Sequence, residues 1–210
     1  MSFEVEKKIE ICFNSYLGKS FEEISSLFEK EYKPTDKGRF RNLTNKIIEN
    51  CIGEKGIPEK LFLRTCTVKK SGRVAQPLSF PHFEYIKIIN EAWEDSELHK
   101  ILKGKKFLFV FWREVGNGWV LEKTCFWNMP ADDLLEAKEV WENTVMLIKN
   151  KKADSLPSMA QSRVLHVRPH GSNKADTLPT HYGTKETKKS FWLSASYVTD
   201  SVYVSCGEGK

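Results

Sequence analysis

The stretch "KFLFVFWREVGNGWVLEKTCFW", Lys106 to Trp127, contains the clearest structural signal in the sequence. Two strand-like arms flank Gly116-Asn117-Gly118, and a short glycine–asparagine turn between such arms is typical of a β-hairpin. The first arm is apolar at every position from Phe107 to Trp112. A strand of that composition is normally covered on both faces. The sequence therefore predicts a core strand here, and not an exposed aromatic platform for stacking bases.

The segment that precedes this hairpin begins with helical periodicity. From Glu4 to Asn50 the apolar residues recur at helical spacing, which predicts three helices. Ser20 and Glu23 are expected to form a capping box at the start of the second helix. We expect one domain spanning residues 1–210, with a helical part over about 1–52 and a sheet-containing part over about 53–210.

The remaining segments alternate between extended and helical patterns. The predicted elements are a strand at Leu61–Val68 that turns at Ser71-Gly72 into a second arm toward Phe80, a helix at Phe83–Leu102, a helix at Asp132–Lys149, a strand at Arg163–Val167, an apolar piece at Phe191–Leu193 and a last helix near Tyr197–Val204. The pattern predicts an α/β fold in which helices pack on a central mixed sheet.

Composition excludes several classes of protein. The chain has 210 residues, 40% hydrophobic content and a net charge of +5. No apolar run reaches the roughly 20 residues that a membrane helix needs, and the first ten residues are too polar for a secretory signal. We therefore expect a cytoplasmic protein. Its five cysteines are far apart and form no C-x-x-C pair, so reduced thiols are expected.

The stretch "VLHVRPHGSNKADTLP", Val164 to Pro179, begins as an apolar strand and continues as a polar turn. Arginine and lysine suit phosphate or the guanine edge, asparagine suits the adenine edge, and glycine and serine let backbone amides approach an anion. The turn is predicted to contact a polar ligand. The alternative interpretation is a solvated loop between two strands.

Basic residues are concentrated around this turn. The segment from Gln161 to Leu193 contains six cationic and two anionic side chains, so it carries a net charge of +4, and it also contains aromatic residues. That combination is typical of a surface that contacts phosphate backbones. The cations are Arg163, Arg168, Lys174, Lys185, Lys188 and Lys189, and the aromatic residues are Tyr182, Phe191 and Trp192.

The sequence gives weaker support for a metal-binding site. His166 and His170 are four residues apart, but in a strand followed by a turn they are not expected to share a face, which disfavours zinc. Asp176 with Glu186-Thr187-Lys188 formally matches the carboxylate–lysine pattern of Mg²⁺-dependent nucleases. No apolar strand surrounds Glu186, so the match is disfavoured. A second formal match, Asp132 and Asp133 followed by Glu136-Ala137-Lys138, is expected on a solvated helix face.

The motifs "LHVRPHGSNKADTLP" and "TKKSFWLSASYV" resemble the end of the MutH and Sau3AI family, the hemimethylated-GATC nicking enzyme of mismatch repair and its type II restriction-endonuclease relatives. The nearest likeness is to the C-terminal, MutH-like domain of the restriction enzyme. "LGKSFEEISSLF", "DKGRFRNLTNKII", "NEAWEDSE" and "FWNMP" extend the likeness over nearly the whole chain. The segments "HVRPH" and "KSFW" are its most specific parts.

The resemblance implies a restriction-endonuclease-like, MutH-like α/β fold that holds duplex DNA in a cleft and recognises GATC. By position, Arg168 through Lys174 would belong to the DNA-contacting loop, Trp192 would lie near the bases, and Arg64, Lys69 and Lys70 would border the cleft. The DNA-binding residues expected on all these grounds are Arg168, His170, Ser172, Asn173, Lys174, Lys188, Lys189, Trp192, Arg64, Lys69 and Lys70.

The chain departs from the family at the catalytic motif. Active members carry an acidic residue and then Glu-Leu-Lys-Thr, where this chain has "FLRT". Phe62 stands in place of the metal-binding Glu, Arg64 in place of the Lys, and Lys55 or Gly56 where the upstream Asp belongs. Glu54 and Glu59 are nearby but do not have the motif's spacing. No catalytic or metal-binding residue is therefore expected.

The expected function is sequence-specific binding of GATC-type duplex DNA, as the non-catalytic effector domain of a type II restriction endonuclease. The implied partner is a catalytic MutH-like domain in the same or another chain, and no cofactor is expected. One alternative is an active Mg²⁺-dependent GATC endonuclease that uses Asp176, Glu186 and Lys188 or a catalytic partner. Another is a scaffold or dimerisation module without DNA binding, since a basic surface can also face an acidic protein.

Overall fold

The structure is a computed structural model that describes residues 3–53 and 57–207. In chain order the elements are α1 (Phe3–Asn14), α2 (Phe21–Leu27), α3 (Arg39–Ile52), β1 (Leu61–Val68), β2 (Leu78–His82), α4 (Tyr85–Ile88), a 3₁₀ turn (Trp93–Asp95), α5 (Glu97–Leu102), β3 (Lys106–Val115), β4 (Gly118–Trp127), α6 (Ala131–Lys149), β5 (Leu165–Pro169), β6 (Thr177–Pro179), β7 (Lys185–Thr187), β8 (Lys189–Leu193), α7 (Ala195–Tyr197), a π-helix (Val198–Tyr203) and a 3₁₀ turn (Ser205–Gly207).

The chain has the predicted α/β composition, but its strands are divided among small sheets. The described strands form a mixed sheet in the order β1-β3-β4, an antiparallel sheet in the order β2-β8-β5, and the two-stranded pair β6-β7. The packing of the described residues separates two compact units, one from those within 1–76, 105–128 and 199–210 and one from residues 77–104 and 129–198. The expectation of a single domain stays a prediction, because one domain can contain more than one compact unit.

The hairpin β3–β4 organises the first unit, as the sequence predicts. β3 pairs in parallel with β1 and antiparallel with β4. Leu108, Val110 and Trp112 belong to a core cluster with buried residues of α1, α2 and α3. On the other face Phe109 contacts the rings of Phe107, Phe111 and Trp127. Every side chain from Phe107 to Trp112 is buried, so the predicted burial on both faces is confirmed.

Two hydrogen-bonded devices fix the helices of this unit. At the start of α2 the Ser20 hydroxyl accepts the Glu23 N–H at 3.1 Å, and the Glu23 carboxylate accepts the Ser20 N–H at 2.7 Å. The predicted capping box is thereby confirmed. Within the core, the indole N–H of Trp112 donates to the Thr44 hydroxyl at 3.2 Å, which joins β3 to α3 and satisfies both buried polar groups.

The arm toward Phe80 was expected to be irregular or to lie at a sheet edge because of Pro77 and Pro81, and its pairing partner was left open. It forms β2, which pairs with β8, while Val68 at the end of β1 forms an isolated bridge with Val74. Pro81 lies within β2 and lacks an N–H, which restricts this strand to a sheet edge. The edge it occupies is that of the antiparallel sheet.

The predicted helices of the second half are confirmed in part. α6 matches the prediction closely, at Ala131–Lys149. The predicted helix at Phe83–Leu102 is instead divided into α4, a 3₁₀ turn and α5, because Ser96 adopts an extended conformation and caps α5 through the His99 N–H at 3.2 Å. The last segment is mainly π-helical. None of the described helices is long and apolar enough to cross a bilayer.

The expectation of reduced cysteines is contradicted by the structure. Cys12 is bonded to Cys51, with their Cα atoms 5.6 Å apart, and Cys125 is bonded to Cys206, with a Cα separation of 5.8 Å. Cys66 is a free thiol, and its complete burial raises its pKa to about 12, which makes it unreactive. Sequence spacing could not identify these pairs, because their members are 39 and 81 residues apart.

The pairing predicts a thiol count. Titration of the purified chain with a thiol reagent in denaturant, without reductant, should detect one thiol, that of Cys66. After full reduction the same titration should detect all five cysteines. Five thiols before reduction would show that neither disulfide forms, and three would show that one of them does.

Candidate functional site

A basic loop, defined as residues 168–176, comprises the last two residues of β5 and the turn that leads to β6, and it has a braced backbone. The Asn173 side-chain oxygen accepts the N–H groups of Ala175 at 2.8 Å and Asp176 at 3.2 Å. The Asp176 carboxylate accepts the Ser172 N–H at 3.1 Å. At Gly171 a Cβ atom would lie 2.9 Å from the Cβ of Asp176, so only glycine fits there. These contacts fix the loop without help from a ligand.

The loop presents most of the side chains that the sequence assigned to DNA. Arg168, His170, Ser172, Asn173 and Lys174 are all exposed on it. The Asn173 oxygen is already used within the loop, so its amide N–H₂ group is the part left for a ligand. The predicted clustering of these five residues on one loop is thus present in the structure.

Two of the predicted lysines are engaged elsewhere in the same unit. The Lys188 ammonium lies 2.9 Å from the Asp176 carboxylate. The Lys189 ammonium donates to the Ala153 carbonyl at 2.5 Å, and burial lowers its pKa. Both lysines contribute positive charge near the loop, but in this conformation their first partners are protein groups.

Trp192 lies beneath the side chains that begin the basic loop. The Arg168 guanidinium carbon is 5.5 Å from the centroid of the Trp192 ring, and the His170 ring centroid is 5.5 Å from the same ring. The structure therefore brings together three of the residues that the sequence assigned to DNA. Their common position follows from the antiparallel pairing of β5 with β8.

That pairing also locates two residues that the sequence analysis did not assign to the site. His166 is directly opposite Trp192, and Ser190 is directly opposite Arg168. Both are completely buried. Burial, and secondarily the positive charge of Arg168, lowers the pKa of His166 to about 4, so its ring is neutral at pH 7. Alternation along a strand could have revealed them, because each lies two residues from a predicted site residue.

A polar network around the buried Asp133 carboxylate holds the start of β5 in place. The Asp133 carboxylate accepts hydrogen bonds from the Arg163 guanidinium at 2.5 Å and from the Tyr197 hydroxyl at 2.7 Å. Glu136 accepts the Val164 N–H at 3.0 Å. We expected the charges of this helix to face solvent, which is wrong for Asp133. It lies in the first turn of α6, which faces the segment that leads into β5.

The positions to which the family resemblance assigns the nuclease motif lie on β1, in the first unit. Phe62 is paired with Phe107 and Arg64 with Phe109, so both face the aromatic side of the sheet. The Arg64 guanidinium carbon lies 4.1 Å from the Phe62 ring centroid, and burial lowers the pKa of Arg64 to about 10. An aromatic ring and a cation supply no oxygen ligand for Mg²⁺.

Other predicted residues near this motif are placed as follows. Lys69 and Lys70 are exposed at the turn after β1, in the first unit, and Glu59 is exposed before that strand. Glu54, Lys55 and Gly56 lie outside the described residues.

The alternative nuclease residues do not form a carboxylate cluster. Asp176 is paired with Lys188, and this contact, with the Ser172 N–H, lowers the pKa of the Asp176 carboxyl. Glu186 lies on β7, whose register places it opposite Leu178. Across residues 3–53 and 57–207 no group of three or more His, Cys, Asp or Glu side chains could hold a metal ion.

The comparisons with known proteins give a distant relationship. The chain is similar to the type II restriction enzyme Sau3AI of Staphylococcus aureus, with 24% identity over 185 residues that cover 68% of this chain. The match covers 38% of the length of that enzyme. No family model matches the chain. The predicted relationship to a restriction enzyme is thus supported at a coarse level, and a MutH-like domain remains part of the proposal below.

The environment of His166 predicts an unusual titration. Its ring should stay neutral in NMR spectra until the pH approaches about 4, against an ordinary value near 6.5. Between those two pH values the unfolded chain takes up a proton at this residue while the folded chain does not, so stability should fall as the pH is lowered through that range. The spectrum of the His166→Leu variant identifies the resonance, and a ring that titrates near pH 6.5 would contradict the described burial.

Proposed function

We propose that this chain binds duplex DNA at GATC-type sites, as a non-catalytic, MutH-like effector domain of a type II restriction endonuclease. The observation that carries the proposal is the basic loop, which holds Arg168, His170 and Lys174 exposed on a fixed backbone. An arginine so held can donate two hydrogen bonds to the guanine edge in the major groove, and a lysine can contact phosphate.

The charge distribution supports a nucleic-acid partner. A net +4 lies in residues 161–193, which include the whole basic loop. Cations that contact phosphates displace bound counterions, so binding of this type weakens steeply as salt is raised. The distant similarity to a restriction enzyme agrees with DNA as the ligand.

We propose, from the residues of β1, that this chain has no catalytic role. Cleavage by the family's mechanism needs carboxylates that hold Mg²⁺ close to the scissile phosphate. At the corresponding positions Phe62 and Arg64 are packed against each other. We therefore propose that cleavage depends on a catalytic MutH-like domain, in this or another chain, which binding at this site would activate.

The central prediction concerns Arg168. The Arg168→Ala variant should bind a GATC duplex about 5- to 150-fold more weakly and lose most of its preference over a scrambled duplex, as expected for one bidentate base contact worth about 1–3 kcal/mol. Fluorescence anisotropy at two salt concentrations measures both quantities. Lys103→Ala is the matched control, since it also removes one exposed cation of the same unit, from outside the basic segment. Its preference for GATC should equal that of the unchanged chain.

The same titration separates the proposal from its rivals. With Mg²⁺ present, a denaturing gel of the bound DNA should show intact strands. Strand cleavage by the purified chain would contradict the non-catalytic role. Equal affinity for both duplexes would contradict sequence-specific binding and indicate nonspecific DNA binding. Only the absence of binding to either duplex at both salt concentrations would favour a scaffold role.

A further inference from the structure

The sheet β2-β8-β5 has one apolar face and one polar face. Because side chains alternate along a strand, Leu165 and Val167 of β5 point away from His166 and Arg168, as Phe191 and Leu193 of β8 point away from Ser190 and Trp192. Register places His166 beside Trp192 and Arg168 beside Ser190. The polar face therefore continues from the base of the loop along both strands, over His166, Arg168, Ser190 and Trp192.

Three side chains of this face have buried polar atoms without a hydrogen-bond partner among the described residues. These atoms are both ring nitrogens of His166, the hydroxyl of Ser190 and the indole nitrogen of Trp192. Folded proteins pair about nine in ten of their buried polar groups, because an unpaired one carries a cost in stability. Three such residues lie on two adjacent strands, next to the proposed DNA-contacting loop. Their clustering suggests that one ligand pairs all of these atoms.

We propose that His166, Ser190 and Trp192 form a base-edge site. Their unpaired polar atoms would form hydrogen bonds with the edge of one base in the DNA that the basic loop binds. The inference rests on the proposed DNA binding and deepens it. It assigns specificity to His166 and Ser190 in addition to Arg168, and it gives Trp192 a hydrogen-bonding role besides ring contact.

The kinds of hydrogen-bonding group favour a base over a phosphate. A neutral imidazole offers one donor and one acceptor, a hydroxyl offers both, and an indole nitrogen only donates. A phosphate presents acceptors alone, so it would leave the imidazole acceptor of His166 unpaired. A base edge such as that of adenine presents a donor and an acceptor side by side, which matches the mixed set.

One weakly held side chain lies against this site. The Arg168 guanidinium carbon is 5.5 Å from the centroid of the Trp192 ring, and cation–π contacts contribute little at exposed positions such as that of Arg168. The Arg168 side chain can therefore turn from the Trp192 ring to the DNA while the braced backbone of the loop stays in place. Because Arg168 is opposite Ser190 and two residues from His166 on the same strand face, this movement would open the polar face beside both residues.

The test uses opposite effects on stability and binding. In the full chain, Ser190→Ala and His166→Leu each replace a group without a partner by an apolar one, so the melting temperature of the free protein should stay the same or rise. Affinity for the GATC duplex should fall at least about fivefold in each variant, the lower limit for one lost base contact. Affinity for the scrambled duplex should not change.

Ser194→Ala is the matched control, at the residue directly after the end of β8. Its hydroxyl donates a hydrogen bond to the Arg163 carbonyl at 2.5 Å and accepts one from the Tyr197 N–H at 3.1 Å. The hydroxyl is therefore used as donor and as acceptor inside the protein. This variant should lose stability and keep its preference for GATC at temperatures where it remains folded. Its behaviour shows what a purely structural buried serine does.

Duplexes in which 7-deazaadenine or 7-deazaguanine replaces one GATC purine supply a second readout, because each analogue lacks the N7 acceptor. If the site contacts that base, one of the two analogues should weaken binding by the unchanged chain and have a smaller effect on Ser190→Ala or His166→Leu.

The two proposals fail in different ways. If Arg168→Ala loses selectivity while Ser190→Ala and His166→Leu bind GATC like the unchanged chain, DNA binding stands and the base-edge site is overturned. An equal loss for both duplexes would also overturn the site, since it would indicate a general effect on the fold. If the unchanged chain binds neither duplex, the proposed function itself fails, and the base-edge site with it.

Discussion

The alternation of side chains along β8 is the constraint on which the second unit depends. Phe191 and Leu193 are buried on the apolar side, while Ser190 and Trp192 lie on the polar side. β8 is also the middle strand and is hydrogen-bonded to both β2 and β5. A shift of one residue in its register would exchange its two faces and break both ladders, so core packing and the candidate site are fixed together.

The basic loop shows how a polar segment can be rigid without an apolar core of its own. Its shape depends on the close approach at Gly171 and on the backbone hydrogen bonds accepted by Asn173 and Asp176. The ion pair with Lys188 adds little, because ion pairs that remain partly accessible to solvent are weak. A braced loop loses less conformational entropy when it binds a ligand, so more of the energy of its contacts appears as affinity.

The sequence predicts the local features of this fold well and the non-local ones poorly. The hairpin β3–β4, the capping box of Ser20 and Glu23 and the extent of α6 are encoded in short periodic patterns, and the structure confirms them. The partner of β2, the disulfides and the burial of Asp133 depend on contacts between segments that are distant in sequence, and a local pattern does not predict such contacts. The exposed residues of the basic loop could be predicted from composition. Alternation could have marked His166 and Ser190 as lying on the same strand faces as Arg168 and Trp192, but that the two strand faces adjoin follows only from the pairing of β5 with β8.

The positions to which the family resemblance assigns the nuclease motif are packed within the first unit instead of being exposed on its surface. The Phe62 ring meets Phe107 edge to face at 5.2 Å on one side, and the Arg64 guanidinium covers it on another. A carboxylate at position 62 would lie among aromatic rings, and the Arg64 cation would repel a metal ion held beside it. The packing of β1 thus favours a protein that does not use these positions for catalysis. In the proposed function, the basic loop and the polar sheet face of the second unit recognise the DNA, and a partner domain cleaves it.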